Sequence, residues 1–301
     1  MDLNFFKNIR ILDGGTGQEL LSRGLEAKGT LWSANALLQD KYHDLLLNTH
    51  LDFIKAGAEV IVTATFATRR KRLKDNQIES KFEYLNQKAG KIAVKAKKNF
   101  SNILIAGGLP PQNITYEADR RNEKEITNNF KEQAKVLNPY VDFFYFDVLS
   151  SIKEIGCGIK AIKEFKKPYL IGIHISEGTN LPSGEKISDV KNVIDDQVLG
   201  VMLSCVSPEN YEVNFTEVKN LGTPFGFKLN GFITTKPNTS FAENYLKSKT
   251  GNPTEILGKR KDLNPENMAR IVEKFKDAGA TILGGCCETS PSHIKAIARL
   301  K

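Results

Sequence analysis

Four cysteines occur in 301 residues, and three stand where chemistry is placed. Cys286 and Cys287 are adjacent and follow Gly284 and Gly285, and Cys205 sits near the end of the apolar run VLGVMLSCV at 198–206. Cys157 lies in a helical stretch and reads as a small buried hydrophobe. Neighbouring cysteines rarely bridge each other, so reduced thiols are expected rather than a disulfide framework. Adjacent side chains on an extended strand point apart; a bend permitted by the two glycines would let both thiols face one ion. Three thiolates with an open fourth position describe a catalytic zinc site, because structural zinc is normally closed by a fourth protein ligand.

Something must bring Cys205 to the pair. Short apolar, β-branched runs recur eight times, at 9–15, 58–66, 102–108, 141–148, 168–176, 198–206, 224–232 and 280–287. Continuous apolar strands suit a parallel sheet covered on both faces, and the intervening stretches are long enough for crossover helices. Eight such units in this length give the size of a (β/α)₈ barrel, a single domain over 1–301. A doubly wound sheet is the alternative, with GGTGQEL as its fingerprint, but Gly15-Thr16-Gly17 is followed by Gln18, Glu19 and Leu20, without the third glycine that helix packing needs.

A barrel carries its chemistry at the C-terminal strand ends. These read Asp13-Gly14-Gly15, Thr65-Phe66, Gly107-Gly108, Asp147, His174-Ile175-Ser176, Ser204-Cys205, Asn230-Gly231 and Gly284 to Cys287. One strand separates the sixth from the eighth, so their thiols can converge. His174 is placed to reach a substrate carboxylate or water as neutral imidazole. His43, His50 and His293 read as surface or packing residues.

The segments LDGGTGQEL (12–20), LWSANAL (31–37), TATFAT (63–68), SCVSPENY (204–211) and GGCCETSPSHI (284–294) resemble, in family order, the homocysteine S-methyltransferases. The resemblance spans nearly the whole chain. It implies zinc on Cys205, Cys286 and Cys287 and methyl transfer to homocysteine from a small sulfonium or quaternary ammonium donor, in methionine biosynthesis. The LWSA segment looks closest to the S-methylmethionine branch. Asp13 and Asp147 are then expected at the amino group of homocysteine, with Gly14 and Asn230 in the substrate shell and Trp32 and Phe66 facing the cationic donor. The chain also departs from the pattern. Asp147 stands for the usual Glu, Ser204 for Asn, Glu288 for an Arg that often follows the pair, and GGLPPQ for GPYG. These departures bear on the acceptor and donor more than on the metal.

Net charge is +8, yet the densest basic run, RRKRLK at 69–74, is short and has no aromatic residue, so solvated helix faces are expected rather than a nucleic-acid surface. The N-terminus lacks an apolar run long enough for a signal peptide, and no segment approaches a membrane span; a soluble, cytoplasmic protein is expected. The all-sulfur ligand set argues against a metal-dependent hydrolase. A divergent zinc- or thiol-binding barrel without catalysis, or one with another thiol acceptor, is the remaining alternative.

Overall fold

The computed structural model describes residues 1–235 and 251–301. Each of the eight apolar runs coincides with a strand, two of which extend one residue past it: β1 (Arg10–Ile11), β2 (Val60–Val62), β3 (Leu104–Leu109), β4 (Phe143–Leu149), β5 (Tyr169–Ile173), β6 (Val198–Val206), β7 (Phe225–Leu229) and β8 (Ile282–Gly285). All pairings are parallel, in the order β1-β8-β7-β6-β5-β4-β3-β2. The ring closes where Leu12 bridges Val60, helped by Glu59 N donating to Ile11 O (2.8 Å) and Asp13 N to Val60 O (3.0 Å). This is the expected (β/α)₈ barrel.

Strands such as β2 and β5 are buried at every residue, which explains why their sequences run continuously apolar instead of alternating. Side chains from β2, β3, β4, β5, β6 and β8, with Leu12 just after β1, meet in a central cluster that includes Leu12, Val60, Val62, Ala106, Phe143, Tyr145, Leu170, Met202 and Ile282. Taking one large apolar side chain out of water stabilises by roughly 1.5–3 kcal/mol. Phe6, from the turn before β1, packs edge-on against Phe143 (6.0 Å) and closes the N-terminal end. Outside the ring, helices start on side-chain caps: Asn122 accepts from Glu125 N before Glu123–Leu137, and Ser207 from Asn210 N before Pro208–Lys219.

The basic run 69–74 does not form one charged surface. Arg69 is buried, Arg70 pairs with Glu132 (2.6 Å) and Glu79 (3.4 Å), Lys71 with Asp75 (2.6 Å), and Leu73 is buried. Among the described residues, no helix is long and apolar enough to cross a membrane.

Candidate active site

Two strands lose register at the C-terminal end of the barrel. Pairing slips between Phe146 and Leu149 on β4 and between Ser204 and Val206 on β6. Such a bulge re-aims the residues it displaces, here Asp147, Val148 and Cys205. Val148 (φ 64°) and Cys205 (φ 54°) become left-handed, as do Trp32 (43°), Tyr116 (70°) and Glu288 (62°). Non-glycine residues so held cost on the order of 1–3 kcal/mol each and gather where function demands a geometry.

The expected bend at Gly284 and Gly285 is therefore elsewhere. Neither has a positive φ; the turn is made at Cys205 and directly after the pair at Glu288. The two glycines supply space instead. A Cβ on Gly285 would strike the Thr289 side chain, and one on Gly284 would lie 2.9 Å from Leu12 Cβ and 3.3 Å from Lys228 Cγ. Gly14 is similarly tight, since a Cβ there would meet Thr289 O at 2.6 Å.

The result is a trio of sulfurs, Cys205, Cys286 and Cys287, all within 4.8 Å of one another. Tetrahedral bonds of about 2.3 Å set sulfurs about 3.8 Å apart, so a small contraction would close this group on a metal ion. Hydrogen bonds from Cys286 and then Cys287 hold the Cys205 thiol well below its ordinary pKa; burial opposes them, and the Tyr116 hydroxyl, 3.1 Å from Cys205 Sγ, adds to them. The same interactions with Cys205 push the Cys287 thiol up. Cys157 lies apart, in the helix Ile152–Ile162, with its Sγ near Glu123 O.

Across the cavity stands a charged group. Asp13 is wholly buried, with Oδ1 accepting from Lys228 Nζ (2.8 Å) and Oδ2 from Val62 N (2.8 Å). Asp147 Oδ1 accepts from Tyr145 Oη (2.6 Å), which also meets Ser204 Oγ. Burial, then the charge of Cys286, pushes the Asp147 carboxyl up to about 7, against the pull of Lys228 and the Tyr145 hydroxyl. Burial works against the Lys228 ammonium, but Asp13, Asp147 and Cys286 more than offset it and hold its pKa above the usual value.

Aromatic faces form the third wall. Trp32 and Phe66 meet edge to face (5.9 Å) beside Tyr116, Val148 and Phe232. Trp32 Nε1 donates to Gln18 Oε1 (2.8 Å), and Gln18 Nε2 to Glu288 Oε1 (2.8 Å), whose other oxygen pairs with Lys259 (2.7 Å). Glu288 therefore braces this wall from behind.

Asp13, Gly14, Trp32, Phe66, Asp147 and the three thiols all line one cavity. Asn230 is placed differently from expectation. Its Nδ2 donates to Cys205 O (2.6 Å) and its Oδ1 accepts from Phe232 N (2.7 Å), so it clamps the bulge instead of facing the cavity. His174 is also set back: Nδ1 lies 3.2 Å from Ser204 O and Nε2 2.8 Å from Ser176 Oγ, and its ring stacks on Tyr116 (4.3 Å). Burial lowers its pKa to about 4, so it is a neutral support. Sequence reasoning missed Lys228 and Tyr116. The first had a signal, because a lysine on a strand without a solvent face must turn inward and find an acid; Tyr116, in a loop, had none.

A family model described as homocysteine S-methyltransferase matches residues 10–300. Homocysteine S-methyltransferase 1 of Brassica oleracea is 25% identical over 320 residues, covering 96% of this chain and 92% of its own. The selenocysteine Se-methyltransferase of the same species is 24% identical over 318 residues, 95% and 87% of the two chains. Among solved structures, the metallated form of the homocysteine methyltransferase MmuM from Escherichia coli superposes with a TM-score of 0.79 at 20% identity, covering 98% of this chain and 96% of that one.

Proposed function

The chain belongs to the homocysteine S-methyltransferase family, and on that premise we propose that it is a zinc-dependent enzyme carrying a methyl group from a sulfonium or quaternary ammonium donor, S-methylmethionine foremost, to homocysteine, giving methionine. One observation carries this reading: three sulfurs within 4.8 Å form one wall of a cavity whose other walls are aromatic and carboxylate. Zinc, when bound, would supply acidity to an acceptor thiol whose ordinary pKa of about 8.5 leaves it mostly protonated at neutral pH. The donor set fits that ion, being all sulfur, largely buried and, among the described residues, short of a fourth protein ligand.

The chain's own residues do the rest. Cys205, Cys286 and Cys287 hold the ion, and Tyr116 and Asn230 fix Cys205. Asp147 takes the acceptor ammonium, with Asp13 beside it. Trp32 and Phe66 offer ring faces that offset the lost hydration of a cationic donor and exclude water. The acceptor sulfur attacks the donated methyl carbon in line as the bond from that carbon to the donor heteroatom breaks, its electron pair staying with the donor. The thiol proton has by then passed from the acceptor to solvent water.

The test is methionine formation from homocysteine by the zinc-loaded protein with S-methylmethionine, betaine, dimethylsulfoniopropionate or S-adenosylmethionine. Turnover should be highest with S-methylmethionine. No methionine with any donor, at full zinc content, would refute the reading and favour a non-catalytic thiol-binding barrel.

A further inference from the structure

Lys228 is a buried cation on the cavity wall that the reaction above leaves without a task. Its register on β7 pairs it with Gly284 on β8, and β8 lies between β7 and β1. The lysine stem crosses the bare backbone of Gly284 to reach Asp13, just beyond β1, so its position depends on that missing side chain. An ammonium has three N–H donors. Asp13 Oδ1 takes one at 2.8 Å; among the described residues no other hydrogen-bond acceptor is engaged by Nζ, although the residue is only 5% exposed and lines the cavity.

Buried donors without acceptors are costly, and a cavity is where a ligand meets them. The carboxylates and the lysine also divide a zwitterion's charges unequally. Asp13 is already offset by Lys228, whereas Asp147 has one oxygen on Tyr145 and the other without a hydrogen bond among the described residues. An acceptor carrying both an ammonium and a carboxylate would therefore set its ammonium on Asp147. The other cation on the cavity wall, Arg72, belongs to the short helix Arg70–Asp75 outside the barrel.

We propose that Lys228 is a specificity-determining residue that binds the carboxylate of the acceptor thiol through the N–H donors not spent on Asp13. The inference rests on the reading of homocysteine as acceptor for its choice of ligand. It separates Lys228 from a mere counter-ion of Asp13, which would be indifferent to whether the ligand has a carboxylate.

Calorimetric binding of three thiols to the zinc-loaded protein tests it without turnover: homocysteine, 3-mercaptopropylamine, which lacks the carboxylate, and 4-mercaptobutanoate, which lacks the ammonium. The natural protein should bind 3-mercaptopropylamine at least tenfold more weakly than homocysteine, the scale of one charge-assisted hydrogen bond. In Lys228→Met that gap should close to within about threefold, with zinc content unchanged. Should the unpaired Asp13 prevent Lys228→Met from folding, the Asp13→Asn/Lys228→Met double variant removes both charges and should close the gap equally. A natural protein with no gap, or a gap that persists in the variant that folds, overturns the proposal. Lysine-dependent binding of 4-mercaptobutanoate with no binding of homocysteine would leave Lys228 in its role and overturn the homocysteine reading instead.

Discussion

Two buried polar clusters lie on the barrel and are built on opposite terms. Beneath Phe66, Gln133 donates to Thr65 O (3.2 Å), Thr68 Oγ1 (3.4 Å) and Asn86 Oδ1 (3.1 Å) and accepts from Gln112 Nε2 (3.1 Å). Asn86 in turn bonds Phe82 O and Thr68 O. All these groups are neutral and bonded to one another. At the cavity the members are charged or ionisable, Asp13, Lys228, Asp147 and the cysteines, and Lys228 and Asp147 keep hydrogen-bonding capacity in hand. A neutral, saturated network fixes a loop, whereas a charged, unsaturated one waits for a ligand.

Breaking the neutral cluster should cost stability and spare the metal. Gln133→Leu removes four hydrogen bonds, although Thr65 O, Thr68 Oγ1, Asn86 Oδ1 and Gln112 Nε2 each keep another partner, and should lower unfolding stability by about 3 kcal/mol, measured by chemical denaturation, while zinc content stays at its natural value. Loss of zinc in a folded Gln133→Leu protein would show that the two clusters are one.

A third kind of buried polar group sharpens the contrast. His50 is fully buried, and neither ring nitrogen has a hydrogen-bond partner among the described residues. Burial lowers its pKa to about 4, against a slight opposing pull from Asp13. The unfolded chain takes up that proton near 6.5, so the folded state loses stability as pH falls from about 6.5 to 4, by up to about 3 kcal/mol. His50→Leu should therefore be close to neutral at pH 7.5 and more stable than the natural protein at pH 4.5; equal pH dependence of the two by thermal unfolding would place the acid sensitivity elsewhere.

Within the charged cluster, Asp147 is set against its own shortened length. Asp147→Asn should cost about 2 kcal/mol in acceptor kcat/KM, and Asp147→Glu should be tolerated. Strongly raised homocysteine turnover in Asp147→Glu, beside a nearly inactive natural protein, would mean that the natural acceptor is bulkier or different. The aromatic wall gives a smaller effect. Trp32→Ala should weaken use of a sulfonium donor by about 1–2 kcal/mol with zinc retained, and unchanged donor kinetics would reduce Trp32 to a packing residue.

How far the sequence foretold this contrast depends on what each residue's neighbours reveal. The eight strands were legible because strands buried on both faces write continuous apolar runs, and the cysteines because thiols at two strand ends have few other uses. The hinge of the site was misplaced on Gly284 and Gly285, since a register slip at Cys205 leaves no mark in composition. Asn230 fits the family pattern at its strand end, and neither the pattern nor the position fixes its rotamer. Lys228 went unread because a lone lysine in FGFKLNGF looks like a polar face until closure of the barrel removes every solvent side.

Zinc stoichiometry of the reduced protein tests the central claim most directly. The natural chain and Cys157→Ala should each hold about one zinc after exhaustive dialysis, and Ala at Cys205, Cys286 or Cys287 should abolish tight binding in a chain that still folds. Full zinc in Cys286→Ala would contradict a site built on the three converging thiols.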